Sequence, residues 1–188
     1  MNKKNYYWDE ISEKIGILLK RFLFKDMKIL EVGFSSWHFL EYLNELGYKF
    51  LHGVEIREDQ YQKTLDSFNR KSLNISLSCG DVLKTNEKYD AIFSTGLIQC
   101  LNESNLEKFI SHISSLADIA FFTVPELLEI RNTGSKEKVG VAGCTEYPTS
   151  NLSFILSNYY DLVLTGRLDS CSGTEDDFIY YFCKKRKI

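Results

Sequence analysis

Acidic side chains lie in or directly after several apolar segments of this sequence. Glu31 belongs to the segment KILEV, Glu55 ends the stretch YKFLHGVE, and Asp81 follows Gly80 in SCGDV. A carboxylate can accept hydrogen bonds from both vicinal hydroxyls of a ribose, or from the amino group of an adenine. We expect Glu55 to hold the ribose and Asp81 to hold the adenine amino group, with the backbone N–H of Val82 facing a ring nitrogen. These residues predict an adenosine site.

The loop that follows KILEV is a candidate binding loop with few glycines. Gly33 is present, but Ser35 and Trp37 stand where a nucleotide-binding loop normally has further glycines. A Cβ at a position of close approach crowds the ligand, and serine is the smallest such change. Trp37 suits packing of a helix on the sheet, and it also suits stacking on a ligand.

Each acid also has a purely structural interpretation. Glu55 could serve the dipole of the helix that follows it. Asp81 could be an ordinary turn residue after Gly80, and Glu31 could be a buried structural acid. The sequence leaves these alternatives open.

Alternating strands and helices must position these residues. Periodicity predicts strands at 28–32, 48–56, 73–78, 89–95, 118–124, 160–168 and 178–184, and helices at 11–24, 37–46, 59–69, 104–116 and 151–158. Ser104 and Glu107 have the spacing of a capping box. The last two strands are joined by a Ser/Gly/Asp-rich turn without room for a crossover helix, so they are antiparallel neighbours. The pattern predicts an α/β protein with a doubly wound, mostly parallel seven-stranded sheet and an antiparallel last strand.

Ligands of such a sheet bind at the carboxyl ends of its strands, near the point where the strand order reverses. Thr95, Gly96 and Leu97 follow the fourth strand, so we expect them to face the ligand together with Glu31 and Gly33.

Composition excludes several classes of protein. The 188 residues carry a formal charge of −3, which gives no general attraction to nucleic acid, and five cysteines occur singly, without the paired spacing of zinc sites. The first residues are polar and aromatic, and no window is long and apolar enough to span a membrane. We expect a cytoplasmic protein with reduced thiols, no metal and no membrane association.

Four motifs in order resemble those of the class I S-adenosylmethionine-dependent methyltransferases: EVGFSSW, GVEI, GDV and YDAIFSTGLIQCL. The antiparallel strand at 178–184 is also typical of that family, and the resemblance covers about residues 28–184. It implies the Rossmann-like methyltransferase fold and S-adenosylmethionine as cofactor. The cofactor-binding residues it implies are Glu31, Gly33, Ser35, Glu55, Ile56, Asp81, Val82, Thr95 and Gly96.

The resemblance also implies a single methyltransferase domain with four parts. These are an N-terminal helical cap at 1–26, a cofactor-binding half at 27–125, a cap insertion at 126–150, and a C-terminal helix and hairpin at 151–188. Tyr7 and Trp8 lie in an aromatic leader before the first helix. Either they attach the leader to the core, or they form a lid over the cofactor opposite Leu97.

The leading hypothesis is methyl transfer to a small-molecule acceptor. Where many relatives have a histidine after the fourth strand, this chain has Gln99, which cannot act as a base, so no catalytic residue is predicted. One alternative is a degenerate domain that binds a cofactor or a protein without catalysis. Another is an NAD-type oxidoreductase, which the missing glycines and the terminal hairpin disfavour.

Overall fold

The computed structural model of the protein describes residues 6–34, 39–127, 149–168 and 176–185. The strands are β1 (Lys28–Val32), β2 (Phe50–Glu55), β3 (Ile75–Cys79), β4 (Ala91–Thr95), β5 (Ile119–Leu127), β6 (Leu162–Leu168) and β7 (Asp176–Lys184). The helices are α1 (Tyr6–Leu19), α2 (Phe39–Glu45), α3 (Glu58–Arg70), α4 (Glu103–Leu116) and α5 (Thr149–Ser157). Two short 3-10 helices occupy Val82–Lys84 and Ile98–Cys100.

All seven strands form one sheet in the order β3-β2-β1-β4-β5-β7-β6. Strands β1 to β5 are parallel, whereas β7 runs antiparallel to both β5 and β6. This arrangement confirms the predicted fold class. The order reverses at β1, because β2 and β3 lie on one side of it and β4 on the other.

Alternate residues of the central strands point to opposite faces of the sheet, and each face has its own core. On one face, Ile15 and Leu19 of α1 and Phe39 of α2 pack with Ile29 and Phe93 of the sheet. On the other face, α4 and α5 cover the neighbouring residues of the same strands. The buried residues of this second core include Leu30, Ile92, Leu106, Ile110 and Leu152. The doubly wound arrangement therefore holds β1 and β4 rigidly at the centre.

The first helix differs from the predicted one. Helix α1 begins at Tyr6 rather than Ile11, so Tyr7 and Trp8 belong to its first turn and not to an extended leader. Asp9 and Glu10 then belong to the N-terminal part of the helix, where the helix dipole favours acidic residues. The prediction missed this start because it was based on the spacing of apolar residues alone. The helix ends at Leu19, whose carbonyl accepts from both Phe22 and Leu23.

The capping residue of α4 was predicted wrongly. Asn102 has extended backbone dihedrals, and its side chain accepts from the N–H of Asn105 at 2.9 Å. Ser104 therefore lies inside the helix, where it cannot act as the N-cap.

The predicted cap insertion at 126–150 begins with residues of β5. This strand continues through Pro125 to Leu127, paired with β7. Proline is tolerated there because β4 ends at Thr95, so this part of β5 pairs with β7 and lacks β4 on its other side. The rest of the insertion from 128 to 148 lies outside the described residues, and the division of the chain into four parts remains a prediction.

In the part of the chain that the structure describes, no helix has the length and apolar character needed to cross a bilayer. Nor do the described His, Cys, Asp and Glu side chains form a group of three or more that could hold a metal ion.

Candidate cofactor and active site

The carboxyl ends of β1 to β4 bring most of the predicted site residues to one edge of the sheet. Parallel pairing places the end of β1 between Val54 of β2 and the end of β4. The loops are also joined directly, because the N–H of Gly33 donates to Val54 O at 2.8 Å and that of Gly80 donates to Glu55 O at 2.9 Å. The carboxyl ends of β1, β2 and β3 and the loops that follow them therefore form one continuous edge. We call this edge, together with the end of β4, the rim of the sheet.

Glu31 lies at the centre of this rim and is fully buried. Thr95 Oγ1 donates to its Oε1 at 3.2 Å, while Oε2 has no hydrogen-bond partner among the described residues. Burial raises the pKa of Glu31 to about 8, against smaller opposing effects of Thr95 and the Leu40 backbone. A buried carboxylate oxygen without a donor is suited to a cationic or hydrogen-bonding group of a ligand.

Two glycines shape the loops on either side of Glu31. Gly33 has a φ of +74° and Gly96 a φ of +73°, a region that residues with a Cβ rarely adopt. A Cβ added at Gly33 would lie 3.4 Å from the Leu97 side chain. The loop after β4 therefore lies against the loop after β1, which places Leu97 next to Gly33. Ser35, Trp37 and His38 lie outside the described residues.

Glu55 ends β2 and is only 4% exposed. Its Oε1 accepts from the N–H of Arg57 at 3.0 Å and lies 3.7 Å from Arg57 Nε. Helix α3 begins at Glu58 and carries Glu58 and Asp59 in its own first turn, so it does not depend on Glu55 for an acid. Glu55 thus stabilises the turn into α3, and this role is compatible with a ribose contact.

Asp81 follows β3 and caps the 3-10 helix Val82–Lys84. Its Oδ1 accepts from the N–H of Leu83 at 2.9 Å, which agrees with the interpretation as a turn residue. The Val82 side chain is buried, whereas Leu83 is 43% exposed and Ile56, after β2, is 66% exposed. Two exposed apolar side chains on adjoining loops could hold a flat aromatic ring between them. Leu83 is not among the predicted site residues, although its position directly after the GDV motif could have indicated it.

Two polar groups beside the rim were given no role by the sequence. Gln99 Oε1 is buried without a hydrogen-bond partner among the described residues. His112 of α4 is 2.9 Å from Val82 O through its Nε2. The His112 contact joins residues thirty positions apart, so no local pattern reveals it. Tyr7 and Trp8 are placed in α1, but their side chains are not described.

Comparison with known proteins gives one family match and many similar folds. Residues 29–118 match a family model described as a methyltransferase domain. No curated protein matches the chain in sequence. The solved structure of magnesium protoporphyrin IX methyltransferase from Synechocystis PCC 6803, with bound SAH, has a TM-score of 0.77 at 14% identity, covering 95% of this chain and 83% of that one.

Two further solved structures have similar folds. A S-adenosylmethionine-dependent methyltransferase from Clostridium acetobutylicum ATCC 824 has a TM-score of 0.71 at 13% identity, covering 96% of this chain and 92% of that one. The methyltransferase domain of bacterial CtHen1-C has a TM-score of 0.75 at 14% identity, covering 95% and 100%. The similarity to these structures extends over nearly the whole chain, beyond the residues that the family model matches.

Proposed function

Since the chain resembles the class I S-adenosylmethionine-dependent methyltransferases in both sequence and fold, we propose that it transfers a methyl group from S-adenosylmethionine to a small-molecule acceptor. The observation that carries the proposal is the buried Oε2 of Glu31, which has no hydrogen-bond partner among the described residues and lies where the strand order reverses. The amino-acid part of the cofactor has an ammonium group that can donate to this oxygen.

The other rim residues fit the remaining parts of the same cofactor. Gly33 allows the backbone to approach the amino-acid part, and Glu55 accepts from the ribose hydroxyls. Asp81 and the N–H of Val82 match the amino group and a ring nitrogen of adenine. Ile56 and Leu83 follow β2 and β3 with exposed apolar side chains, and we assign them to contacts with the faces of the ring.

Methyl transfer demands little acid–base chemistry from the protein. The sulfonium of the bound cofactor is itself the reactive group, so the chain chiefly has to align the acceptor with the methyl and exclude water. Thr95, Gly96 and Leu97 lie where the methyl would be presented, and we assign Leu97 to the wall between cofactor and acceptor. The net charge of −3 favours a small acceptor over a nucleic acid.

Calorimetric titration with S-adenosylhomocysteine, NAD and NADP in parallel tests the cofactor. We expect only S-adenosylhomocysteine to bind, and Glu31→Ala should weaken that binding. NAD or NADP binding would support an oxidoreductase instead. No binding by all three would support a degenerate domain that acts through protein contacts.

The acceptor is tested by incubating the protein with methyl-labelled S-adenosylmethionine and three fractions of a cell extract: small molecules, RNA and proteins. The label should enter the small-molecule fraction. Label confined to RNA or protein would contradict the proposed acceptor class while leaving methyl transfer intact.

A further inference from the structure

We propose that His112 of α4 is a positioning residue that fixes the Asp81–Leu83 turn for recognition of adenine. This inference rests on the proposed function, because it concerns how one part of that site is held. It begins from the contact of 2.9 Å between His112 Nε2 and Val82 O. A carbonyl oxygen only accepts hydrogen bonds, so Nε2 carries the proton and donates it.

The contact acts on a single peptide group. Val82 C=O and the N–H of Leu83 belong to the same trans peptide, in which the two groups point in opposite directions. The carbonyl accepts from His112 on one side, and the N–H donates to Asp81 Oδ1 at 2.9 Å on the other. His112, together with the N–H of Thr85 that donates to the same Val82 O, therefore holds the orientation of the peptide whose N–H in turn orients the Asp81 carboxylate.

The turn needs this support because its own hydrogen bonds are few. Within it, Lys84 N donates to Asp81 O and Thr85 N donates to Val82 O, both at 3.0 Å. A 3-10 helix of three residues is only marginally stable by itself. The connection from β3 to β4 contains no other helix, so α4 supplies the contact that a longer helix would have made internally.

The position of His112 on α4 is itself fixed. The buried side chains of Phe109, Ile113 and Leu116 hold the helix against the sheet in the same core that contains Val82. Hence the donor and the turn are both attached to one rigid surface. The position of the turn proposed to bind adenine is therefore fixed relative to the sheet, and it does not depend on the conformation of the loop alone.

The test compares two ligands that differ only at the adenine edge. S-Inosylhomocysteine has a carbonyl oxygen in place of the amino group of S-adenosylhomocysteine, and its N1 carries a proton, so the 6-position cannot donate to Asp81 and N1 cannot accept from the N–H of Val82. We expect wild type to prefer S-adenosylhomocysteine by about tenfold or more, as a lost charge-assisted hydrogen bond implies. His112→Phe keeps a ring of similar size without the donor and should lower this ratio at least threefold. His112→Gln, whose amide can donate to Val82 O, should retain it.

Ser115→Ala is the matched control. The Ser115 hydroxyl is exposed and donates to the carbonyl of His112 itself at 2.7 Å on the same helix turn. Its loss should leave the ratio unchanged. If His112→Phe fails to fold, His112→Asn, whose shorter amide does not reach Val82 O, gives the same comparison.

The outcomes separate the inference from the proposed function. A wild-type protein that does not bind S-adenosylhomocysteine contradicts the proposed function. Binding without a preference between the two ligands overturns the inference, and so does a His112 variant that weakens both ligands equally or leaves the ratio unchanged. A selective loss of the ratio in His112→Phe, recovered in His112→Gln, supports it.

Discussion

Glu31 shows how one residue can couple folding to ligand binding. Its carboxyl group is fully buried, and one oxygen has no donor among the described residues, so burial holds its pKa near 8. In the protein without ligand, burial therefore favours the protonated form of this acid. A cationic ligand group beside it would favour the ionised form and reverse that state.

The raised pKa of Glu31 predicts a stability that falls with rising pH. Between about pH 4.5 and 8 the folded state binds a proton at Glu31 that the unfolded state has lost, so the unfolding free energy decreases across this window. The slope is at most about 1.4 kcal/mol per pH unit. Melting temperatures of wild type and Glu31→Gln from pH 5 to 9 measure it, because glutamine does not titrate. Parallel curves for the two proteins would contradict the prediction.

The same group predicts proton release on cofactor binding. If the ammonium of S-adenosylhomocysteine pairs with Glu31, binding at pH 7 should release up to one proton and tighten as the pH rises from 6 to 8. Titrations in buffers of different ionisation enthalpy count the protons. Glu31→Gln should show no such release from this position. An equal proton count in both proteins would remove Glu31 from the ligand contact.

Glu55 is predicted to contribute directly to affinity. Glu55→Ala removes charge-assisted hydrogen bonds to the ribose and should weaken S-adenosylhomocysteine binding by about 1–3 kcal/mol. Glu58→Ala is the control, since Glu58 is an exposed acid three residues away in α3. An unchanged dissociation constant in Glu55→Ala, with normal melting, would limit Glu55 to the turn before Arg57.

At the level of elements, the start of α4 offers a prediction with a built-in control. Asn102 caps the helix through Asn105 N, whereas Ser104 is already helical. Asn102→Ala should lower the unfolding free energy by about 1 kcal/mol, the usual loss of an N-cap. Ser104→Ala should change it by a few tenths of a kcal/mol or less. Denaturant unfolding of both variants decides between the two caps, and a larger effect at Ser104 would restore the capping box.

The order of the elements and the positions of the acidic site residues could be predicted from the sequence, whereas contacts between distant elements could not. The order of strands and helices, the antiparallel hairpin and the strand-end positions of Glu31, Glu55 and Asp81 follow from apolar periodicity and topology rules. The N-cap of α4 was missed because Asn102, Ser104 and Glu107 offer competing local patterns that only the backbone dihedrals resolve. The contact of His112 with Val82 was missed because it depends on the packing of α4 against the β3–β4 connection.

At the scale of the whole molecule, α1 links the N-terminal segment to the sheet. Its buried side chains Ile15 and Leu19 lie in its C-terminal half, and Leu23 follows the helix. The helix also approaches α2 closely, since a Cβ at Gly16 would lie 2.5 Å from the Tyr42 ring. These anchors all follow residue 9. The assignment of Tyr7 and Trp8, in the first turn of α1, to a lid over the cofactor stays a prediction.

Deleting residues 1–9 tests that assignment. If Tyr7 and Trp8 close over the cofactor, the truncated protein should keep its melting temperature, because Ile15, Leu19 and Leu23 remain, but lose most S-adenosylhomocysteine binding and all turnover. The full-length double variant Tyr7→Ala, Trp8→Ala is the matched control, since it keeps the helix and removes only the aromatic faces, and it should lose binding to the same extent. A fall in melting temperature proportional to the loss of activity, in either protein, would show that the aromatics attach α1 to the core and that no lid is formed.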